Sequence, residues 1–245
     1  MFENFKTTIP SKKNVFFAED INVFDREFYI VLTLLVFSSF LIFILTRYIF
    51  FQTNNLVDYN VFLLIRQMTN PTVVKIARLV TILGTGNFLI PAYILVLTYL
   101  SKQNYALLVY KIFTAAFGGL LLGWLLKWIF HRSRPLEHLV SGAGGYSFPS
   151  GHALGGFIFC GIIIYLIWKL KFSYFVRWVC TVIFSILGFS IGMSRIYLHV
   201  HYATDVLGGL LIAIWWLLLI HIIFKVFFKN SNNTVKDKLK AYQAL

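Results

Sequence analysis

The sequence predicts an all-α, polytopic membrane helix bundle with six transmembrane helices and interfacial helices between the first and second spans. Three observations lead there. The chain of 245 residues is 59% hydrophobic and only 13% charged, about half the charged share of a soluble domain, and its mean hydropathy is +0.77. Stretches such as Ile30 to Phe51 and Asp205 to Phe228 stay mostly apolar over the roughly 20 positions needed to cross about 30 Å of hydrocarbon. The polar residues of the later stretches gather at one end of each run, where a charge buried alone in lipid would otherwise be costly.

The elements follow in order. Residues 1–28 carry mixed charge and read as a cytoplasmic segment. They are too long before the first apolar run, and too poor in small residues at a cleavage point, for a secretory signal. Spans are expected at about 29–51, 87–100, 106–130, 151–168, 174–193 and 204–228. The second is short as drawn, with an earlier start near Leu79 as an alternative. Between spans one and two, Val57, Val61, Ile65 and Met68 recur at helical spacing, with Asp58, Asn60, Arg66 and Gln67 on the other side. Pro71 breaks that helix and a similar pattern resumes from Val73 to Leu83, so residues 56–83 read as two short interfacial helices. The alternative is that they are the ragged start of the second span. Residues 229–245 are polar and basic and read as a cytoplasmic tail. Residues 29–228 form one domain without internal repeats.

A net charge of +13 raises the possibility of nucleic-acid binding, because basic chains attract phosphate backbones. Its distribution excludes that class, since the cations sit beside the ends of apolar runs. With both termini on one side, that side holds fourteen Lys and Arg residues against eight on the other. The positive-inside rule then puts both termini in the cytoplasm, and every later polar cluster on the outer face. Cys160 and Cys180 lie inside separate apolar runs, with neither metal-type nor redox-type spacing.

Three polar clusters remain. In "KWIFHRSRP", Lys127 and Arg134 are seven residues apart, two turns if the helix continues, and Pro135 ends it. Alone, this cluster also fits cations snorkelling at a membrane boundary. In "FPSGH", Pro149 presets a turn, Ser150 can cap, and Gly151 allows close backbone approach. His152 then falls in the first turn of a helix whose free N–H groups suit an anion; an ordinary cap with an incidental histidine is the alternative. In "SRIYLHVHYATD", His201 and Asp205 are four apart, so the carboxylate can fix the imidazole tautomer. Arg195 adds a planar donor fork suited to phosphate oxygens, while His199 reads as a packing or interfacial histidine. Together the clusters describe an oxyanion cradle beside a nucleophile, its orienter and a proton donor.

Lys127 with six residues before Arg134-Pro135, then Pro149-Ser150-Gly151-His152, then Ser194-Arg195 with five residues before His201 and three more before Asp205 resembles the tripartite signature of the type 2 phosphatidic acid phosphatase superfamily, in its bacterial membrane-integrated branch. The resemblance implies a metal-independent phosphatase, without a cofactor, that works through a phosphohistidine. By that resemblance His201 is the nucleophile, Asp205 orients it, and His152 protonates the leaving oxygen and then activates water. Lys127, Arg134, Arg195, the Ser150 hydroxyl and the Gly151 N–H hold the phosphoryl oxygens. The implied partners are the lipid bilayer and a lipid phosphate: undecaprenyl pyrophosphate, phosphatidylglycerol phosphate, phosphatidic acid or, as an alternative, lipid A. The implied location is the bacterial cytoplasmic membrane, with the site facing outward. Vanadium haloperoxidases are similar in these motifs, but they are soluble and larger. A transporter or flippase would spread its polar residues through the bilayer depth, which this sequence does not.

Overall fold

The computed structural model describes residues 24–51, 55–140, 144–170 and 172–243, with side chains up to Phe228. The expected N-terminal segment before residue 24 and the side chains of the expected tail lie outside the described residues. Among the described residues eight helices follow one another: α1 (Arg26–Phe51), α2 (Leu56–Met68), α3 (Pro71–Ile82), α4 (Gly86–Lys102), α5 (Ala106–Phe130), α6 (Gly151–Lys169), α7 (Tyr174–Tyr197) and α8 (Ala203–Gln243). Five of them (α1, α5, α6, α7 and α8) are long and apolar enough to cross a membrane, and a sixth span arises if α3 and α4 count as one path bent by 40°. Much of the surface of these helices is apolar: Phe37, Phe40, Phe43, Trp124 and Phe189 all point outward, as lipid-facing side chains do.

The region 56–83 is two short helices, as its periodicity predicts. Pro71 occupies the first turn of α3, where its missing N–H costs nothing, and the Asn70 side chain accepts from Val73 N. The chain breaks between α3, which ends at Ile82, and α4, which opens at Gly86 with 17 residues, about 25 Å of helix; an earlier start near Leu79 corresponds to counting the bent pair as one span. The face assignment of α2 needs correction. Ile65 is buried and Val61 packs on the core, but Val57 and Met68 are exposed, while Asp58, expected on the polar side, is buried. The reason is a set of partners from distant sequence, described below.

Helix α6 is the most enclosed, with α7, α8 and α5 packed around it, and α1 lies along α8. The start of α6 touches the start of α8 closely. A Cβ on Gly209 would stand 3.1 Å from Leu154 N and 3.2 Å from Ser150 O, tighter than most real contacts, so glycine eases this approach. The C-terminal ends of α1 and α5 meet there as well: Phe50 stacks on Phe130 with ring centroids 4.9 Å apart, and both rings edge against Phe148. At the opposite end, Lys111 bonds the Tyr165 hydroxyl and His221, while Lys225 pairs with Asp25 and Glu27. These bonds tie α1, α5, α6 and α8 together inside an otherwise apolar bundle.

Candidate active site

The three polar clusters converge at the end of the bundle where α6 and α8 begin. Helix α7 runs to Tyr197, a turn further than the apolar pattern suggests, so Ser194 and Arg195 ride on its last turn. The chain then reverses through His199, whose φ of +57° lies in the left-handed region. His201 is delivered into the interior, and α8 starts at Ala203 with Asp205 in its first turn. The Asp205 backbone carbonyl accepts from Ser150 N at 3.1 Å, joining the second cluster to the third.

Helix α5 does not continue to Pro135. It stops at Phe130, with His131 in the left-handed conformation at φ +46° donating its N–H to Lys127 O. The turn is held because the next residue, Arg132, reaches into buried carboxylates. Lys127 and Arg134 therefore do not share a helical face. They meet instead over the returning loop, where both donate to Tyr146 O, Lys127 Nζ at 2.7 Å and Arg134 Nη2 at 3.5 Å.

His201 is buried between Arg134 on one side and Ser147 with Asp205 on the other. Arg134 Nη1 stands 3.2 Å from His201 Nε2. Because a guanidinium only donates, Nε2 carries the lone pair and the ring proton sits on Nδ1. That Nδ1 faces Asp205 Oδ2 at 3.5 Å and Ser147 Oγ at 3.3 Å. The Ser147 hydroxyl in turn donates a short bond to Asp205 Oδ2, and Tyr202 N donates to the same oxygen at 2.9 Å. Burial pushes the His201 imidazole down to about 4, against the pull of Asp205, so it is neutral at pH 7. A neutral imidazole with its proton fixed on Nδ1 presents Nε2 as a nucleophile.

The other predicted residues lie in the same region. A Cβ on Gly151 would lie 3.7 Å from Lys127 Cε, so that lysine passes directly over the start of α6. Ser150 occupies the N-cap position of α6 but makes no side-chain cap bond; its buried Oγ has no hydrogen-bond partner. Arg195 donates from Nη1 to Thr81 Oγ1 at 2.7 Å, while its buried Nε has no partner. His152 lies in the combined field of Arg195, His201, Arg134 and Lys127. The turn after α3 packs against it, where a Cβ on Gly84 would come within 3.2 Å of His152 Cβ. All eight predicted residues thus share one neighbourhood. Arg134 is held by Gly145 O at 3.0 Å and Val200 O at 2.9 Å, and burial lowers its pKa below the usual guanidinium value. His199 points away from the cradle, 5.0 Å ring to ring from Phe62, and burial lowers its pKa.

Four contributors escape a motif reading. Ser147 belongs to no spacing rule, yet it touches both His201 and Asp205. Arg132, Asp58 and Thr204 form a buried network behind Asp205. A signal for Asp58 did exist: between residues 28 and 228 the chain has only three carboxylates, Asp58, Glu137 and Asp205, and a scarce carboxylate among apolar helices calls for a partner. Among the described residues, no three His, Cys, Asp or Glu side chains converge as metal ligands do. Beside the site a cavity of about 960 Å³ opens between α1, α2 and the loop after α5, lined by Phe50, Tyr59, Phe62, Phe130, Arg132 and Tyr202.

The sequence profile of the PAP2 superfamily matches residues 104–229. Phosphatidylglycerophosphatase B of Bacillus subtilis (strain 168) is 31% identical over 150 residues, which cover 60% of this chain and 71% of that protein. Lipid A 1-phosphatase of Rhizobium johnstonii is 31% identical over 128 residues, 47% of each chain. Among solved structures, the first transmembrane PAP2-type phosphatidylglycerolphosphate phosphatase from Bacillus subtilis superposes with a TM-score of 0.67 at 24% identity, over 79% of this chain and 94% of that one. Aquifex aeolicus LpxE superposes with a TM-score of 0.52 at 24% identity, over 66% and 93%. At that identity the two structures establish a shared fold.

Proposed function

The chain belongs to the PAP2 superfamily as an integral-membrane lipid phosphatase, and from that premise we propose that it removes phosphate from a membrane lipid through a phosphohistidine on His201, without a metal. The observation that carries this reading is the unprotonated Nε2 of a neutral His201, facing Arg134 at 3.2 Å in a neighbourhood shared with Lys127 and Arg195, with two buried polar atoms, Ser150 Oγ and Arg195 Nε, lacking any protein partner. Those two atoms suit phosphoryl oxygens. The three cations supply the charge stabilisation that phosphoryl transfer needs.

In the proposed sequence, His201 Nε2 attacks phosphorus and the bond from phosphorus to the lipid oxygen breaks. His152 gives a proton to that oxygen. Water then attacks phosphorus with His152 taking its proton, the P–N bond breaks, and inorganic phosphate leaves with His201 restored. Dividing one displacement into two lowers each barrier. Asp205 and Ser147 keep the Nδ1 proton in place and stabilise the imidazolium character that develops during attack.

For substrate, phosphatidylglycerol phosphate is favoured over lipid A, because the match to the first relative covers 71% of that protein against 47% of the second. Phosphatidic acid also presents a terminal phosphomonoester, and undecaprenyl pyrophosphate a terminal phosphate in anhydride linkage, where the leaving oxygen is that of the lipid phosphate. The aromatic-lined cavity beside Arg132 supports a substrate with an apolar body. The excess of Lys and Arg at the other end of the bundle supports cytoplasmic termini and a site on the outer face of a bacterial cytoplasmic membrane. The test is phosphate release by purified protein from a panel of these lipids in excess EDTA, with vanadate as inhibitor. Turnover under chelation that vanadate suppresses supports the reading; activity abolished by EDTA and restored by magnesium refutes the metal-free chemistry.

A further inference from the structure

The Asp58 side chain comes from α2 and Arg132 from the loop after α5, yet both are buried against the first turn of α8. Their side chains are 2% and 9% exposed, and that of Asp205 is 0%. Arg132 Nη1 donates to Asp205 Oδ1 at 2.5 Å and to Thr204 Oγ1 at 2.8 Å; its Nη2 donates to Asp58 Oδ2 at 2.6 Å. Asp58 also accepts from Thr204 N at 3.0 Å and from Thr204 Oγ1 at 2.6 Å. It therefore caps α8 from 146 residues away in sequence, placing a carboxylate at the positive end of that helix.

Arg132 frames the catalytic pair in three ways. Its fork fixes one oxygen of Asp205, leaving Oδ2 turned toward His201, Ser147 and Tyr202 N. Its backbone carbonyl accepts from Ser147 N at 2.7 Å, setting the serine whose hydroxyl lies between Asp205 and His201. Its guanidinium lies 4.5 Å above the Tyr202 ring, which defines the plane of the fork. Both Nη atoms are engaged by protein acceptors, which commits Arg132 to the buried network. The two carboxylates outweigh the effect of burial and raise its pKa above the usual guanidinium value.

We propose that Asp58 and Arg132 are a positioning pair for the reaction: Arg132 sets the angle of Asp205 and the place of Ser147, and Asp58 anchors Arg132 to the start of α8. This rests on His201 as the nucleophile. A planar fork, not positive charge alone, is what the geometry uses, so lysine cannot replace Arg132.

The test is steady-state and single-turnover kinetics on a short-chain phosphatidic acid, in detergent, for Asp58→Asn, Arg132→Lys, Arg132→Gln and the double variant Asp58→Asn/Arg132→Gln. Displacing a catalytic group by about 1 Å costs on the order of 10²-fold, and kcat is expected to fall by that order in each single variant. KM and the inhibition constant of inorganic phosphate stay within about twofold of wild type, because the phosphate cradle is untouched. The double variant loses no more than Arg132→Gln alone, since the two residues act as one unit. Arg132→Lys keeps the buried charge and Asp58→Asn keeps an acceptor for Thr204, so one serves if the other fails to fold. Losses that multiply, a raised KM with unchanged kcat, or Arg132→Lys within about twofold of wild type would overturn the proposal. Wild type and His201→Ala run alongside: an inactive wild type or an active His201→Ala refutes the phosphohistidine reading instead.

Discussion

Removing one hydroxyl, in Ser147→Ala, probes the least expected part of the site. Ser147 is fully buried, and its Oγ lies 3.3 Å from His201 Nδ1 while donating to Asp205 Oδ2. The direct contact from His201 to Asp205 is 3.5 Å, so the hydroxyl offers a second, bridged route from imidazole to carboxylate. A hydrogen bond to a charged group contributes about 1.5–3 kcal/mol, which corresponds to about 10- to 100-fold if it is felt fully in the transition state. Asp205→Asn should cost more, on the order of 10²–10⁴-fold, because it removes the group that fixes the tautomer. The assay is the rate of leaving-group release in a single turnover, with KM from steady state. Ser147→Ala is expected to slow that release about 10- to 100-fold with little change in KM, and the double variant Ser147→Ala/Asp205→Asn should be no slower than Asp205→Asn. Release within about twofold of wild type, or losses that multiply fully, would refute a path through Ser147.

The two histidines should separate by leaving group. His152→Ala is expected to lose most turnover on phosphatidic acid, whose alkoxide needs a proton, and to keep more phosphoenzyme formation with a nitrophenyl ester, whereas His201→Ala loses both; single-turnover bursts measure this. Stability should fall with acid. His201 titrates at about 4 when folded and at about 6.5 when unfolded, so its contribution is full above pH 6.5 and lost as pH falls toward 4. Denaturation of His201→Asn should therefore depend less on pH across that window than wild type does, and equal slopes would contradict the assignment. For orientation, Leu136→Cys, at a side chain 98% exposed, should react with an impermeant thiol reagent on intact cells in a background lacking Cys160 and Cys180. Lys102→Cys should react only after lysis, and the reverse pattern would invert the topology.

The spans were legible because apolar runs of sufficient length have few alternatives, and the eight motif residues stand out as candidates because such residue types recur at fixed spacing. What the sequence concealed is long-range. Asp58 looks like the polar side of an amphipathic helix, since local periodicity cannot register that Thr204 and Arg132 wait 146 and 74 residues away. The apolar run ends at Phe130, where α5 stops, but nothing in His131-Arg132-Ser133 forbids further helix, so the sequence leaves open whether Lys127 and Arg134 share a face; the buried carboxylates draw Arg132 inward and the chain turns at His131. Ser147 carries no pattern at all, and only the folding of its loop over Asp205 reveals it.

In the proposed mechanism His201 becomes the phosphorylated residue. The most direct measurement is to mix purified protein with a lipid labelled in its terminal phosphate, quench within one turnover under alkaline conditions that preserve phosphohistidine, and map the modified peptide. Label is expected on His201, stable to base and lost in acid, diminished in Asp205→Asn and absent in His201→Ala. Label on His152 or His199, or product formed at the normal rate by His201→Ala, would contradict it.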